Sequence, residues 1–350
     1  MLRKFLIFSL AFVCIVKARA QDSTSKGSLA LTGSVDAYYR FNFQNAKDSG
    51  HTNNLTSFTN SQNSFELGMA SLKADYTIGK VEGVADLGFG RRAEEFSYND
   101  HGTLVAVKQA YVSFSPSSKV KFTMGKWATH VGYELLDAYL NRNYSMDYMF
   151  SYGPFFHTGI KMDVTASSNF GFMIGVSNPT DMSTASFSKK FAIAQVHLTT
   201  TDTKVNAYVN YVGGKDMTSS MINQFDVVVT GTVSSKFNIG YNGTVKSVKP
   251  EGKGGDSWWG SALYLNYDPT TIFGLTLRGE YFDDEKTVAG IGTNIFDVTL
   301  SGNIRISNLT IIPEFRLDAA KDPIFFTNSD GAAPSAKSTG TFILAATYHF

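Results

Sequence analysis

The feature that most constrains this chain is an alternation of apolar and polar residues with a period of two. From Leu29 to Phe43, every second residue is apolar or small, and the residues between them include Asp36 and Arg40. The same alternation recurs in residues 273–281, 309–317 and 342–350. Successive side chains of a β-strand point to opposite faces, whereas a helix repeats every 3.6 residues. The pattern therefore predicts strands with one apolar face and one polar face.

The first twenty residues predict export. Arg3 and Lys4 precede an apolar run over residues 5–16, and Ala18-Arg19-Ala20 supplies small residues at the spacing of a signal-peptidase site. The apolar core is roughly a dozen residues long, shorter than the ~18 that a membrane-spanning helix needs. We therefore expect residues 1–20 to be a signal peptide that is cleaved after Ala20.

Composition excludes several classes of function. The single cysteine, Cys14, lies in the predicted signal peptide, so residues 21–350 can form no disulfide and no cysteine-based metal or catalytic site. Removing the four basic residues of that segment from the 31 Lys and Arg leaves 27, against 30 Asp and Glu, a net charge of −3. This balance gives no indication of a nucleic-acid partner, and no cofactor is expected.

After residue 20 no apolar run approaches 18 residues, so a membrane could be crossed only by strands. Unpaired backbone groups in hydrocarbon cost several kcal/mol each, and the sheet must therefore close into a barrel. Short turns alternate with longer polar loops, which is typical of an all-β, closed antiparallel transmembrane β-barrel with short periplasmic turns and long extracellular loops. A barrel of about 16 strands is wide enough for an aqueous channel, and 14 or 18 are the alternatives. The predicted strands begin near residues 29, 65, 81, 104, 119, 158, 169, 190, 204, 223, 236, 257, 272, 294, 309 and 339.

Two segments depart from the alternation. Around residue 70 the apolar phase slips by one residue, and Lys108 falls in the lipid-facing phase of its strand, where a lysine at the membrane midplane costs roughly 2 to 4 kcal/mol. We predict a β-bulge at each place, the second turning Val105 and Val107 outward. Tyrosines and tryptophans near strand ends are candidates for the interfacial girdles: Tyr38, Tyr39, Trp258, Trp259, Tyr281 and Tyr348.

The longest loop, about 127–157, follows the fifth strand, and we predict that it folds inward and narrows the channel. Glu134, Asp137 and Asp147 would supply negative field and Arg142 positive field at this constriction; the alternative is that they are ordinary solvated loop charges. The strand phase also predicts a set of pore-lining charges, which could instead form cross-strand ladders that stiffen the wall. This set comprises Asp36, Arg40, Arg278, Glu280, Glu314, Arg316 and Asp318.

Motifs in the middle third of the chain resemble the OmpL-like β-barrel porin family of Bacteroidota. They are Gln109-Ala110-Tyr111, Gly125-Lys126 with Thr129, Gly132 and Glu134, Asn141 with Asn143-Tyr144-Ser145, and Pro154 with His157-Thr158-Gly159. The strand over residues 313–318 is also similar to that family's penultimate strand. The resemblance implies an outer-membrane barrel of a Gram-negative bacterium that acts as a porin and has no catalytic residues.

The leading functional hypothesis is a porin for passive diffusion of small hydrophilic solutes and ions. The alternatives are a selective channel or receptor for oligosaccharide, phosphate or fatty acid, and a structural or adhesive barrel. The sequence contains no G-x-S-x-G, H-E-x-x-H or P-loop signature, so an enzyme is not expected. Expected partners are outer-membrane lipid and lipopolysaccharide, the barrel-assembly machinery through the terminal Phe350, and, in a possible homotrimer, other copies of the chain.

Overall fold

The computed structural model of the protein describes residues 26–48 and 50–350. The predicted signal peptide, residues 1–20, and Cys14 lie outside the described residues. The strands are β1 (Ser28–Asn42), β2 (Ser64–Ile78), β3 (Val81–Phe89), β4 (Val107–Ser117), β5 (Val120–Ala128), β6 (Phe156–Thr165), β7 (Phe170–Ser177), β8 (Phe191–Thr199), β9 (Val205–Lys215), β10 (Met221–Ser234), β11 (Phe237–Lys249), β12 (Asp256–Tyr267), β13 (Phe273–Asp283), β14 (Asn294–Ile306), β15 (Leu309–Ala320) and β16 (Ser338–His349).

In the part of the chain that the structure describes, the loops contain two short helices, α1 (Arg91–Phe96) and α2 (Tyr148–Ser151), and 3-10 turns at Gly102–Ala106 and Ala138–Leu140. Within residues 26–48 and 50–350, no helix has the length and apolar character needed to cross a membrane.

The sixteen strands form one closed antiparallel barrel in which each strand pairs with its sequence neighbours and β1 pairs with β16. The seam is continued past β16, because the Gly33 amide donates to the Phe350 carbonyl at 3.1 Å and the Phe350 amide donates to the Gly33 carbonyl at 3.0 Å. Because the barrel is closed, no strand has a free edge whose backbone N–H and C=O groups would be without hydrogen-bond partners in hydrocarbon. The predicted count of 16 strands is confirmed, and every predicted start lies within three residues of the observed one.

The connections alternate in length as predicted. Short turns such as residues 79–80, 118–119 and 307–308 lie at one end of the barrel, which we call the short-turn end. The opposite end, the long-loop end, carries the other connections, including the longest one, residues 129–155. In a bacterial barrel the short-turn end faces the periplasm.

Burial follows the two-residue period. In β13, Leu275 and Leu277 point outward with 36% and 39% exposure, whereas Thr276 and Arg278 point inward with 1% and 0%. The outer wall is thus a belt of exposed apolar side chains, which suits a lipid environment and would be unstable in water.

Both predicted bulges are present. The register of β1 with β2 shifts between Asp36 and Ala37, opposite Gly68, and the register of β3 with β4 shifts between Asp86 and Leu87, opposite Lys108. The second bulge turns Lys108 into the barrel, where it is 2% exposed. Val107 begins β4, but Val105 lies in the preceding 3-10 turn and not in a strand.

The girdle prediction is wrong for two residues. Tyr38 and Trp258 are 2% and 1% exposed and pack inside the barrel, Tyr38 against Tyr144 and Trp258 against Phe282. Both fall in the inward phase of their strands, so the alternation itself contradicts an outward position. Their neighbours Tyr39 and Trp259 are the residues that point outward, with ring contacts to Phe65 and Tyr281.

Candidate functional site

The 129–155 loop connects β5 to β6, and a glycine near its start and one near its end lie close to the backbone of the outer neighbours of these strands, β4 and β7. Gly125 has a φ of +139°, which side-chain-bearing residues rarely adopt, and it pairs with Gly159 of β6. A Cβ at Gly125 would overlap the Ala110 carbonyl oxygen, and one at Gly159 would overlap the Val176 carbonyl oxygen. Glycine at both positions therefore allows β5 to lie close to β4 and β6 close to β7 beside the loop.

The first part of the loop crosses to strands on the far side of the barrel. The Gly132 amide donates to Asp226 of β10 at 3.1 Å, and the Tyr133 amide donates to Asn242 of β11 at 3.3 Å. Glu134 then accepts a hydrogen bond from Arg278 of β13 at 2.6 Å. All three strand residues point inward, so this part of the loop lies in the barrel interior.

The middle of the loop reaches the short-turn end. Arg142 donates two hydrogen bonds to Asp268, at 2.9 and 2.8 Å, and Asp268 belongs to the short turn between β12 and β13. The Tyr139 ring stacks on His349, the last residue of β16, with centroids 4.8 Å apart. The loop therefore extends from one end of the barrel to the other before it returns.

The returning part is held by carboxylates that each bind two consecutive backbone amides. Glu314 accepts from the amides of Tyr144 and Ser145, at 2.6 and 3.0 Å, and Glu280 accepts from those of Tyr148 and Met149, at 2.8 and 2.9 Å. Asp181, in the loop between β7 and β8, accepts from the two amides where β6 begins, at 2.6 and 3.0 Å.

Two arginines complete the backbone pairing of the same segment. Arg278 donates to the Ser145 carbonyl at 2.8 Å, and Arg316 donates to the Met146 carbonyl at 2.7 Å. Irregular backbone is normally confined to the surface because buried peptide groups need partners. The inward-facing charges of β13 and β15 supply those partners, and this allows an irregular loop to lie inside the barrel.

The charges around this segment form one buried network. Arg278 and Arg316 share Asp297 of β14, at 3.2 and 2.8 Å, and Arg316 also pairs with Asp318 at 2.8 Å. Breaking such a network by removing one partner is strongly destabilising because an uncompensated charge is left without water.

Two carboxyls of the loop itself belong to the network. The Asp147 amide donates to Glu134 at 2.7 Å, and the Tyr264 hydroxyl donates to Asp147 at 2.6 Å. Burial raises the pKa of both carboxyls, the Asp147 charge raises that of Glu134 further, and Arg278 opposes both shifts.

Apolar contacts fix the loop as well. One buried cluster joins its Phe150 and Phe155 to Phe58 of the first loop and Phe96 of α1. A second joins Tyr148 and Met149 to wall residues, including Trp258, Tyr264 and Phe282.

The four predicted constriction residues do not form one facing set. Glu134 and Asp147 lie together, since the Asp147 amide donates to the Glu134 carboxylate. Asp137 is apart from them and pairs with Lys108 of β4 at 2.6 Å, while Arg142 is at the short-turn end. Each predicted charge therefore has its own partner, and the field that these residues supply at a constriction stays a prediction.

All seven predicted pore-lining residues face the interior, with exposures between 0% and 6%. Six of them bind the 129–155 loop directly. Asp36 accepts from the Tyr144 hydroxyl at 2.6 Å and Asp318 from the Tyr148 hydroxyl at 2.8 Å, while the other four bond to the loop backbone: Arg278, Glu280, Glu314 and Arg316. The exception, Arg40, donates to the carbonyls of Thr52 and Ser61 in the first loop, at 2.8 and 2.5 Å. Their part in lining the channel stays a prediction.

Sequence reasoning missed other members of the site. Asp297 follows the inward phase of β14 and could have been found from the alternation. Arg92 and Asp181 lie in loops without such a period: Arg92 is buried between the rings of Phe58 and Tyr144, and Asp181 has a φ of +61°. Among the described residues, no group of three or more His, Cys, Asp or Glu is arranged to hold a metal ion.

Known structures share this architecture. The outer membrane channel DcaP of Acinetobacter baumannii matches with a TM-score of 0.64 and 9% identity, over 93% of this chain and 97% of that one. The anion-selective porin from Comamonas acidovorans gives 0.62 and 11%, over 93% and 100%. In-vitro folded OmpT of Vibrio cholerae, described as a trimer form, gives 0.60 and 14%, over 93% and 99%. At these identities the likeness concerns the fold.

No curated protein is significantly similar to the chain in sequence. The family described as "Putative beta-barrel porin-2, OmpL-like" matches residues 28–350, from the first residue of β1 to the last residue of the chain. The match and the closed sixteen-stranded barrel agree on an outer-membrane location and a channel function. The chain belongs to the OmpL-like β-barrel porins.

Proposed function

We propose that this porin allows passive diffusion of small hydrophilic solutes and ions along a path that the 129–155 loop narrows. The observation that carries the proposal is the set of contacts between this loop and inward-facing side chains from β10 to β16 and β1. A barrel of sixteen strands without such a loop would leave a wide aqueous channel. With the loop inside, solutes pass between it and the remaining wall.

Glu134, Asp137, Arg142 and Asp147 act, in this proposal, by holding the loop in place through their separate partners. Asp36, Arg278, Glu280, Glu314, Arg316 and Asp318 hold it from the wall. The field that a solute meets is then set by the charges left partly exposed, such as Lys121 and Asp163, whose side chains are 41% and 39% exposed. Each of these residues is paired with a group of opposite charge, Lys121 with Glu82 and Asp163 with Lys161, so their fields partly cancel and selectivity between cations and anions should be weak.

Planar-bilayer recordings test the proposal. Purified protein should insert in steps of constant, ohmic conductance, and deletion of residues 134–147 should raise the conductance of each step. Stepwise insertion with unchanged conductance after the deletion would place the loop outside the conducting path, and a protein that never conducts would contradict the porin function. A heat-modifiable shift on gel electrophoresis shows whether each variant forms a closed barrel.

We also propose that the barrel has no catalytic activity, and that it assembles as a homotrimer. The trimer form of the similar Vibrio cholerae OmpT supports the second point. Outer-membrane lipid and lipopolysaccharide would surround its apolar belt, and the barrel-assembly machinery would recognise the aromatic end of β16 with Phe350. The mass of the detergent-solubilised protein, from light scattering, tests the oligomeric state.

A further inference from the structure

A cavity of about 390 Å³ opens at the long-loop end of the barrel. It lies between the first four long loops and β11, and its lining combines aromatic rings, hydroxyl groups and charged groups of both signs. Ser57, Glu95, Tyr98, Tyr152 and Lys246 are the members that bear on its chemistry. The volume falls in the lower part of the range for small-molecule sites, about 300 to 1,000 Å³. None of the roles described above uses it.

Tyr98 gives the cavity an exposed aromatic face. Its side chain is 56% exposed, yet it is held in place, because its hydroxyl donates to Asp181 at 3.2 Å and its ring packs edge-on against Phe155 with centroids 6.1 Å apart. The face of an aromatic ring carries partial negative charge. The C–H groups on one side of a pyranose ring carry partial positive charge and stack well on such a face.

Lys246 and Glu95 supply hydrogen bonds from two sides. The Lys246 ammonium has three donors and makes one bond in the structure, to the Tyr152 carbonyl at 3.2 Å. Glu95 accepts from the Phe58 amide through Oε2 at 2.6 Å, which leaves Oε1 for a ligand. A ligand that both donates and accepts hydrogen bonds, as vicinal hydroxyl groups do, satisfies both residues.

The charges of the cavity disfavour ions. A free anion would meet the carboxylates of Glu95 and Asp181, and a free cation would meet the Lys246 ammonium. Asp181 has no role for a ligand, because its two oxygens already accept from Phe155, Phe156 and Tyr98. Burial raises the pKa of the Glu95 carboxyl, which makes it a weaker counter-charge for the ammonium group of an amino acid.

We propose that this cavity is a binding site for a neutral saccharide of one or two rings, which stacks on Tyr98 and hydrogen-bonds to Lys246 and Glu95. The inference deepens the proposed function, since a saccharide held at the mouth enters the path beside the 129–155 loop. Bound solute at this position would reduce the ionic current while it stays in place.

Current recordings with added solutes test the site. Maltose, glucose, glycine and inorganic phosphate are titrated in turn on each side of a bilayer that contains the full-length mature porin. Maltose or glucose should reduce the current in a saturable way, from the long-loop side only. Lys246→Met and Tyr98→Ala should each raise the half-blocking concentration by about tenfold or more, as expected for the loss of a hydrogen bond to a charged group or of a stacking contact. Lys249→Met, at the exposed end of the same strand, is the matched control and should behave like the wild type.

The outcomes separate the two proposals. Normal conductance without saturable block by the sugars, or block that Lys246→Met and Tyr98→Ala leave unchanged, overturns the saccharide site and leaves the porin function standing. Stronger block by phosphate or glycine than by either sugar also overturns it. A protein without conductance contradicts the proposed function itself. Tyr98→Phe keeps the ring and loses the bond to Asp181, so retained block in this variant assigns the effect to stacking.

Discussion

Removing the carboxylates that bind pairs of loop amides should free the 129–155 loop without opening the barrel. The change is the double substitution Glu280→Ala and Glu314→Ala. Each glutamate is 0% exposed and accepts from two consecutive amides of the loop. The strand pairings of β13 and β15 are made by backbone groups and do not depend on these side chains.

The magnitude follows from the number of bonds. Hydrogen bonds to charged groups contribute about 1.5 to 3 kcal/mol each, so the four bonds together hold the loop by roughly 6 to 12 kcal/mol, and each single substitution removes about half of that. The bonds from Arg278 and Arg316 and the two apolar clusters remain in the double variant. The loop should therefore fluctuate about its position and leave it more often than in the wild type.

Single-channel recording in planar bilayers is the assay. The double variant should show larger or strongly fluctuating conductance, the single variants an intermediate effect, and the heat-modifiable gel shift should persist in all of them. Glu251→Ala serves as the control, because it removes a well-exposed carboxylate between β11 and β12 that pairs with Lys215 at 3.4 Å. If the double variant forms a barrel and conducts like the wild type, these glutamates do not hold a loop that limits the current.

Three further predictions concern single residues. Arg142→Met should lower stability by about 1 kcal/mol or less and raise current noise mainly at low salt, because its ion pair with Asp268 is partly exposed. Burial raises the pKa of Asp181 from 3.8 to about 6, so the folded protein binds this proton more tightly than the unfolded chain does. The protonated carboxyl therefore contributes to stability below about pH 4, and this contribution is lost as the pH rises through 6. The urea concentration at the midpoint of unfolding, measured in detergent, should therefore fall between about pH 4 and 7 in the wild type, and Asp181→Asn should remove this fall. The same pH dependence in the variant would contradict the assignment to Asp181. Gly125→Ala should reduce the yield of heat-modifiable barrel, because the positive φ of Gly125 strains an alanine and the new Cβ would overlap the backbone of β4. Gly279→Ala is the control and should leave the yield unchanged, because a Cβ at Gly279 meets open space.

The sequence predicts the wall well because the wall obeys one local rule. Lipid on one side and the barrel interior on the other impose the two-residue period, so strands such as β13 and β15 are found from their own residues. The same rule located the bulge at Lys108, since an outward lysine would face hydrocarbon. It also assigned Arg278 and Glu314 to the interior.

The arrangement inside the barrel could not be predicted, because it depends on how the loop folds over a long separation in sequence. The Arg142 side chain meets Asp268, and Glu134 meets Arg278, through contacts that no period marks. For Tyr38 and Trp258, by contrast, the sequence contained the correct information and the prediction did not follow it. Their aromatic character favoured the membrane interface, while their strand phase, which is the stronger physical constraint, placed them inside.

The most direct measurement of the central claim is the reactivity of a cysteine at the tip of the 129–155 loop. The only natural cysteine, Cys14, lies in the predicted signal peptide, so Leu140→Cys would introduce a single thiol into the mature chain. Leu140 is 52% exposed and adjoins Tyr139, which stacks on His349 at the short-turn end. A small, positively charged thiol reagent added on the periplasmic side should modify this cysteine and reduce the current. Modification by a bulky polyethylene-glycol maleimide from the long-loop side, with the current unchanged, would contradict a loop that lies inside the barrel.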